Sequence, residues 1–381
     1  MPYDSKLRGF ERILTTEVKI SDLLQEVTDR DPNPWKNLVG IIPKVNDRER
    51  RLADLKSKKD VSGTADLLLE SPEGEEVLIE VKLSHDFSSD QMGRYEKSSD
   101  GELILLGMEA DRALVSGSPR WTFHSLADVF NAWSSSPDRE AALLARMAER
   151  SLRRWDAAVE SVFHPAVGEV KLSELRQKFL VKLVTHRLKH ELNQNGWLSL
   201  ASKSSGSSGL AIIQGFAGLN DDENRSLIAE ARWKEGLRTI NFRLGVDFTG
   251  LDDTRVSRSE AWALAKNLDS AICIKAFISH LQQVRPDLSG LITYSDGGGR
   301  STPDDDAWLP IVKNGLQNEK RGSVKPGFVG DGTLRFEASG SIETGQVDAV
   351  DIRILIEEAL RHLCSQLPEG YSTPSVADSG S

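Results

Sequence analysis

Two apolar runs joined by a tight turn set the terms for this chain: ADLLLE at residues 65–70, VLIEVKL at residues 77–83, and SPEGEE between them. Pro and Gly in so short a connection are the chemistry of a hairpin turn, so the runs read as antiparallel neighbours. Side chains leave a strand on alternate faces. Val77, Ile79, Val81 and Leu83 therefore share one face, and Leu78, Glu80 and Lys82 the other. A hairpin closing at residues 72–75 brings Asp66 beside Glu80, so two carboxylates and an ammonium converge on one spot.

That grouping has a definite chemistry. Two carboxylates, completed by water and phosphate oxygens, suit a hard divalent cation such as Mg²⁺. A neighbouring lysine can orient or deprotonate an attacking water, because its pKa falls on burial or beside positive charge. The metal acidifies the water and offsets charge developing on phosphate. Shortly afterwards, Gln91 and Tyr95 stand at i, i+4 on a predicted helix.

Asp66 followed, after thirteen intervening residues, by Glu80-Val81-Lys82 resembles the D…(D/E)-x-K signature of the PD-(D/E)xK nuclease superfamily. Gln91-Met92-Gly93-Arg94-Tyr95 resembles the Q-h-x-x-Y helix motif of its RecB-like and lambda-exonuclease-like branches, while Ala65 stands where the family usually has Pro. The resemblance covers residues 1–135. It implies an α/β restriction-endonuclease-like core, a mixed sheet flanked by helices, and a Mg²⁺- or Mn²⁺-dependent hydrolase acting on DNA. It also implies Asp66, Glu80 and the carbonyl of Val81 as metal ligands and Lys82 at the water. Gln91 would meet the metal-bound water or scissile strand, and Tyr95 the neighbouring backbone or base. The family's first helix commonly adds an acidic residue; Glu17 matches best, with Glu11 and Glu26 as alternatives. Repair of DNA or defence against foreign DNA is the implied setting. An RNA-directed nuclease on the same site is one alternative; another is a catalytically silent nucleic-acid-binding or regulatory protein, although an intact Asp, Glu and Lys weigh against silence.

The remaining elements follow from periodicity and breakers. Residues 7–30 read as one helix, ended by Asp31-Pro32-Asn33-Pro34, and residues 46–59 as a charged helix or loop. ELILLGM and RALVSG read as short strands, and WTFHSLADVFNAW as a strand entering a helix with Ser125 as N-cap and Asp128 in its first turn. Residues 137–163 are rich in helix formers and read as a connecting helix. These boundaries give a nuclease-type domain at 1–165, an α+β domain at 166–370 and a disordered tail at 371–381.

In the second domain, residues 172–193 read as helix; WLSLASK, LAIIQGF, SLIAEARW and TINFRLGVDF as strands; residues 257–284 as one long helix. YSDGGGRSTPDDD reads as an acidic loop, with Asp304, Asp305 and Asp306 capping a helix near Ala307. GSVKPGFVGDGTLRF suggests a strand pair, and VDAVDIRILIEEALRHLCSQL a closing helix. His186 and His190 have a spacing able to hold zinc but lack an obvious third ligand. Gly297-Gly298-Gly299 lacks the Lys-Ser/Thr continuation of a phosphate loop. Trp197, Trp233, Trp262 and Trp308 read as core anchors. This half would select substrate, self-associate or bind a regulatory partner.

The chain has 381 residues, 39% hydrophobic and 28% charged, the composition of a globular protein with room for two cores. A net charge of −10 argues against general nucleic-acid coating, so strand binding would rely on local basic segments at residues 44–59 and 171–189. No apolar run is long enough to cross a membrane, and the start lacks a signal-peptide core. Cys273 and Cys364 have no ligand spacing and read as buried reduced thiols, which places the chain in the cytoplasm.

Overall fold

The computed structural model describes residues 9–53, 60–164, 170–194, 200–205, 209–220, 222–249, 255–294, 327–328 and 334–373. The chain divides into two compact units, Met1–Ser161 and Val162–Ser381.

In the first unit a 3-10 turn at Ile13–Thr15 precedes α1 (Glu17–Arg30), α2 (Trp35–Val39), β1 (Val45–Ala53), β2 (Asp60–Glu70) and β3 (Glu76–Val81). Then come α3 (Ser89–Ser98), β4 (Glu102–Gly107), β5 (Trp121–Ser125), α4 (Leu126–Ala132) and α5 (Arg139–Phe163), which crosses into the second unit. The strands form one mixed sheet in the order β1-β2-β3-β4-β5. β2 pairs antiparallel with both β1 and β3, while β4 and β5 join in parallel. Thus β3 is central, and from Val77 onward both its faces are buried.

The hairpin forms where the sequence places it. Ser71 Oγ accepts from the N–H groups of Glu73 (3.2 Å) and Glu75 (3.1 Å), and Gly74 takes the left-handed conformation (φ 85°) that the turn requires. Leu67 faces Ile79, which puts Asp66 one step further along, level with Glu80.

Four first-unit expectations need comment. The helix expected over residues 7–30 starts at Glu17, because Thr16 is extended (φ −137°, ψ 136°) and breaks it from the preceding turn. Residues 45–53 are strand rather than helix or loop: their backbone pairs along β2, overriding a charged pattern that hides any period of two. Their edge position suits charged residues such as Arg48, which discourage pairing with other chains. RALVSG is not a strand; Glu109–Leu114 is a 3-10 turn, closed by the Asp111 carboxylate accepting from Met108 N–H at 2.9 Å. The strand-to-helix step at Ser125 is as expected, with Ser125 Oγ accepting from Asp128 N–H at 3.1 Å.

The second unit contains α6 (Lys178–Gln194), β6 (Leu200–Ser205), β7 (Ala211–Leu219), β8 (Asp222–Trp233), β9 (Thr239–Phe248), α7 (Arg255–Asn267) and α8 (Ile274–Val284). It continues with β10 (Ile292–Thr293), β11 (Gly327–Phe328), β12 (Leu334–Glu343) and α9 (Ala349–Cys364). Its sheet is antiparallel, ordered β10-β12-β9-β8-β7-β6 with β11 on β12. α6 packs against β6 and β7, and α9 against β7 and β8.

The single helix expected at 257–284 is two helices, divided where Leu268, Ala271 and Ile272 turn into the core and Cys273 becomes extended. The helix expected over 172–193 begins as a 3-10 turn at Leu172–Glu174, and α6 starts only at Lys178. Cys273 and Cys364 are free, but half-buried rather than buried. Trp233 is buried as expected, and Trp262 lies 6.2 Å from the Phe336 ring. The glycine run at 297–299, the aspartates at 304–306, Trp197, Trp308 and the tail from 374 lie outside the described residues. Among the described residues no helix is long and apolar enough to cross a membrane.

Asp31 ties the first unit's helices together. Its backbone oxygen accepts from Trp133 Nε1 (2.8 Å) and its carboxylate from Ser136 Oγ (2.6 Å), while Trp133 meets Trp35 edge-on at 5.2 Å. Truncating the fully buried Trp133 to Ala is expected to cost the first unit about 3–5 kcal/mol. Circular dichroism during urea titration would show this as a lower midpoint, and an unchanged midpoint would remove the indole from the account of stability.

Candidate active site

The residues singled out in the sequence meet at the C-terminal end of β3. Glu80 and Lys82 side chains are only 4% and 8% exposed, and Lys82 Nζ bonds Glu80 Oε1. The same oxygen accepts from Gln91 Nε2 at 2.6 Å. Tyr95 OH bonds Glu80 Oε2 and lies 3.1 Å from the Thr64 carbonyl oxygen. Asp66 Oδ2 accepts from Val81 N–H at 2.8 Å, so a side chain takes over just beyond the last β2–β3 pair.

α3 supplies Gln91 and Tyr95 because its start is fixed. Ser88 is the N-cap, its Oγ accepting from Gln91 N–H at 3.1 Å. One helical turn then separates Gln91 from Tyr95, which turns both toward Glu80. Tyr95 is 1% exposed and packs edge-on to Phe87 (6.3 Å) and Trp121 (5.4 Å), with Leu78, Leu103 and Leu105 in the same cluster. The face that carries Glu80 is therefore a hydrophobic core opening onto a polar pole.

Glu17 arrives from the first position of α1, where an acid is favoured by the helix dipole. Its Oε1 accepts from Leu83 N–H (2.8 Å) and bonds His85 Nδ1 (2.8 Å). Between them Ser84 has φ 60°, a strained conformation for a non-glycine residue, and this turn carries His85 back beside Glu17. The two other acids considered for this role are engaged elsewhere: Glu11 with Arg154, and Glu26 with Arg30 at 2.6 Å. His85, the Thr64 carbonyl and the Leu83 amide were not anticipated. A lone histidine beyond a strand carries no spacing signal, and backbone groups carry none at all.

Burial and mutual repulsion set the electrostatics. Asp66 is pushed up to about 7, first by loss of solvent and then by the neighbouring Glu80 charge. Burial opposes ionisation of Glu17 also, but His85, Lys82 and the Leu83 amide outweigh it and hold that carboxyl below its usual value. For Lys82, burial favours the neutral amine, yet Glu80, Glu17 and Asp66 together raise its pKa above normal. Burial acts in the expected direction on Lys82, and it is the neighbouring carboxylates, whose charge a bound metal would offset, that turn the net direction upward. Burial and Glu80 likewise push the Tyr95 phenol upward, so it stays a donor.

Asp66, Glu80, Glu17 and the Val81 carbonyl form an all-oxygen donor set of the kind Mg²⁺ or Mn²⁺ takes. A cleft of about 560 Å³, lined by Val39, Ile41, Glu75, Glu76, Asp100 and Glu102, opens at the other end of β3, away from this chemistry.

Other expected features resolve as follows. In the basic stretch on β1, Arg48 pairs with Asp22 and lies 3.8 Å from Glu49; residues 54–59 lie outside the described ones. In the second stretch Arg187 bonds Glu191 (3.0 Å) and covers the Phe163 ring (4.1 Å), while Lys178 and Lys182 are exposed. His186 and His190 face each other on α6 with Nε2 atoms 3.2 Å apart. Comparison with protein-family models, curated proteins and solved structures finds no match for this chain.

The raised Asp66 has a testable sign. Between its ordinary value of 3.8 and about 7, the folded chain holds a proton that the unfolded chain has released. Its contribution to stability is complete below that window and is lost as pH rises through it. In EDTA, the melting temperature of Asp66→Asn relative to wild type is expected to rise from pH 5 to pH 8. A difference independent of pH would show that Asp66 is not a strained buried acid.

Proposed function

We propose that the chain is a metal-dependent nuclease hydrolysing phosphodiester bonds of DNA, with its site on the sheet of the first unit. The observation that carries this reading is the convergence of Asp66, Glu80 and Lys82 at one end of β3, with Gln91 and Tyr95 bonded to the same Glu80. The mixed five-stranded sheet, with α1 before it and α3 between β3 and β4, is compatible with a restriction-endonuclease-like core.

Asp66 and Glu80, with the Val81 carbonyl, would hold Mg²⁺ or Mn²⁺, and Glu17 adds a third carboxylate nearby. Such an ion supplies an acidified water and offsets the charge that builds on the phosphate. Lys82 would position or activate the attacking water and, while protonated, lend positive charge to the phosphate. Gln91 reaches the same pole through an amide that can face water or strand. Tyr95 fixes one Glu80 oxygen, so the carboxylate does not reorient during reaction. The second unit would select the strand, mediate self-association or receive a regulatory partner, and an enzyme of this kind suits DNA repair or defence.

The deciding assay compares wild type with Asp66→Ala and Lys82→Ala on single- and double-stranded DNA and RNA, linear and circular, in Mg²⁺, Mn²⁺ or EDTA. Cutting of DNA is expected only with metal, and to fall by about a hundredfold or more in either variant. Undiminished cutting by both variants would end the assignment; cutting of RNA alone would redirect it to a ribonuclease.

A further inference from the structure

The donors around Glu80 point to how a metal would be admitted, an inference that rests on reading this cluster as a metal site. Glu80 Oε1 already accepts from Lys82 Nζ and Gln91 Nε2, and Oε2 from Tyr95 OH. A carboxylate offers about four lone-pair positions, so most of this group's capacity is taken. Of the three donors only Lys82 brings a formal charge, and its Nζ is bonded to Glu80 Oε1. It therefore stands as a cation at the carboxylate read as a metal ligand, with Asp66 and Glu17 bonded to the flanking Val81 and Leu83 amides.

We propose that Lys82 is the placeholder cation of the metal-free site, and that Mg²⁺ or Mn²⁺ enters by displacing its ammonium from Glu80 Oε1. Gln91 and Tyr95 keep Glu80 in place during the exchange, because each is neutral and each is anchored through α3. The hydrocarbon stem of Lys82 has an apolar neighbour to move along: Nζ already lies 5.8 Å from the centre of the Phe87 ring. Once displaced, the Lys82 ammonium would be available to a water or a phosphate oxygen. The same lysine thus holds the site closed without metal and becomes available to substrate once metal arrives. A second cation competing for one carboxylate weakens metal binding by the strength of the pair that must be broken.

The test is calorimetric titration of Mn²⁺ and Mg²⁺ into the metal-free full-length chain and into Lys82→Met and Lys82→Gln, with folding checked by thermal melts. Met fills the volume without charge, and Gln keeps an N–H for Glu80 should Met prove too disruptive. Both variants are expected to bind metal about tenfold more tightly than wild type. Equal or weaker binding by folded variants would overturn the exchange while leaving the metal site intact. No binding by wild type or by either folded variant would overturn the exchange and the metal-site reading together. Asp66→Asn, expected to weaken binding, checks that the heat comes from this site.

Discussion

Glu80 keeps its carboxylate where only 4% of the side chain meets solvent, on a central strand whose neighbours are Leu78, Leu103 and Leu105. A charge so placed is tolerated only when donors replace the lost water. Each donor has to be delivered by a different part of the chain, and each delivery constrains the fold. Lys82 requires β3 to continue its alternation past Val81. Gln91 and Tyr95 require α3 to begin at the Ser88 cap and no later. Thr64, beside the Tyr95 hydroxyl, requires β2 to run on beyond its last pair with β3. The unit's architecture around β3 is in this sense a set of conditions for supplying one buried carboxylate with hydrogen-bond donors.

Much of this was legible because it was local. The turn at Ser71, the alternation of β3, the cap at Ser125 and the one-turn separation of Gln91 from Tyr95 are all short-range patterns that packing had no reason to override. Choosing Glu17 over Glu11 and Glu26 was harder, since all three are acids in one stretch of chain. What separates them is the break at Thr16: it makes Glu17 the first helical residue and leaves Glu11 beside Arg154. A β-branched pair, Thr15-Thr16, is the signal a closer reading could have used.

Where the sequence misled, a long-range partner decided the outcome. β1 reads as a charged segment because its polar residues obscure its period, yet the backbone of β2 was available to pair with it. RALVSG has the composition of a strand, but the buried Asp111 captures the Met108 amide and winds the chain into a turn. His85 was invisible for a related reason: it joins the site through a left-handed Ser84, a conformation that no residue type there announces. Such features belong to the assembled core rather than to any window of sequence.

The second unit holds buried charge in a way that sharpens what is unusual about the first. On its sheet, Glu230 and Asp247 are 1% and 3% exposed, and Arg335 pairs with Asp247 in two-pronged fashion while reaching Glu230 at 3.2 Å. Arg232 also bonds Glu230, at 2.9 Å, and Arg243 bonds Glu337 at 2.6 Å. Three acids there meet three guanidinium groups, and the network is close to neutral, as a structural ion network should be. Around β3, three carboxylates share one ammonium and one histidine. Burial is the first cause that pushes Asp66 up to about 7, and the neighbouring Glu80 charge, part of that imbalance, adds to it. A cluster with more carboxylates than cations can accept a further positive charge, which separates it electrostatically from the balanced network of the second unit.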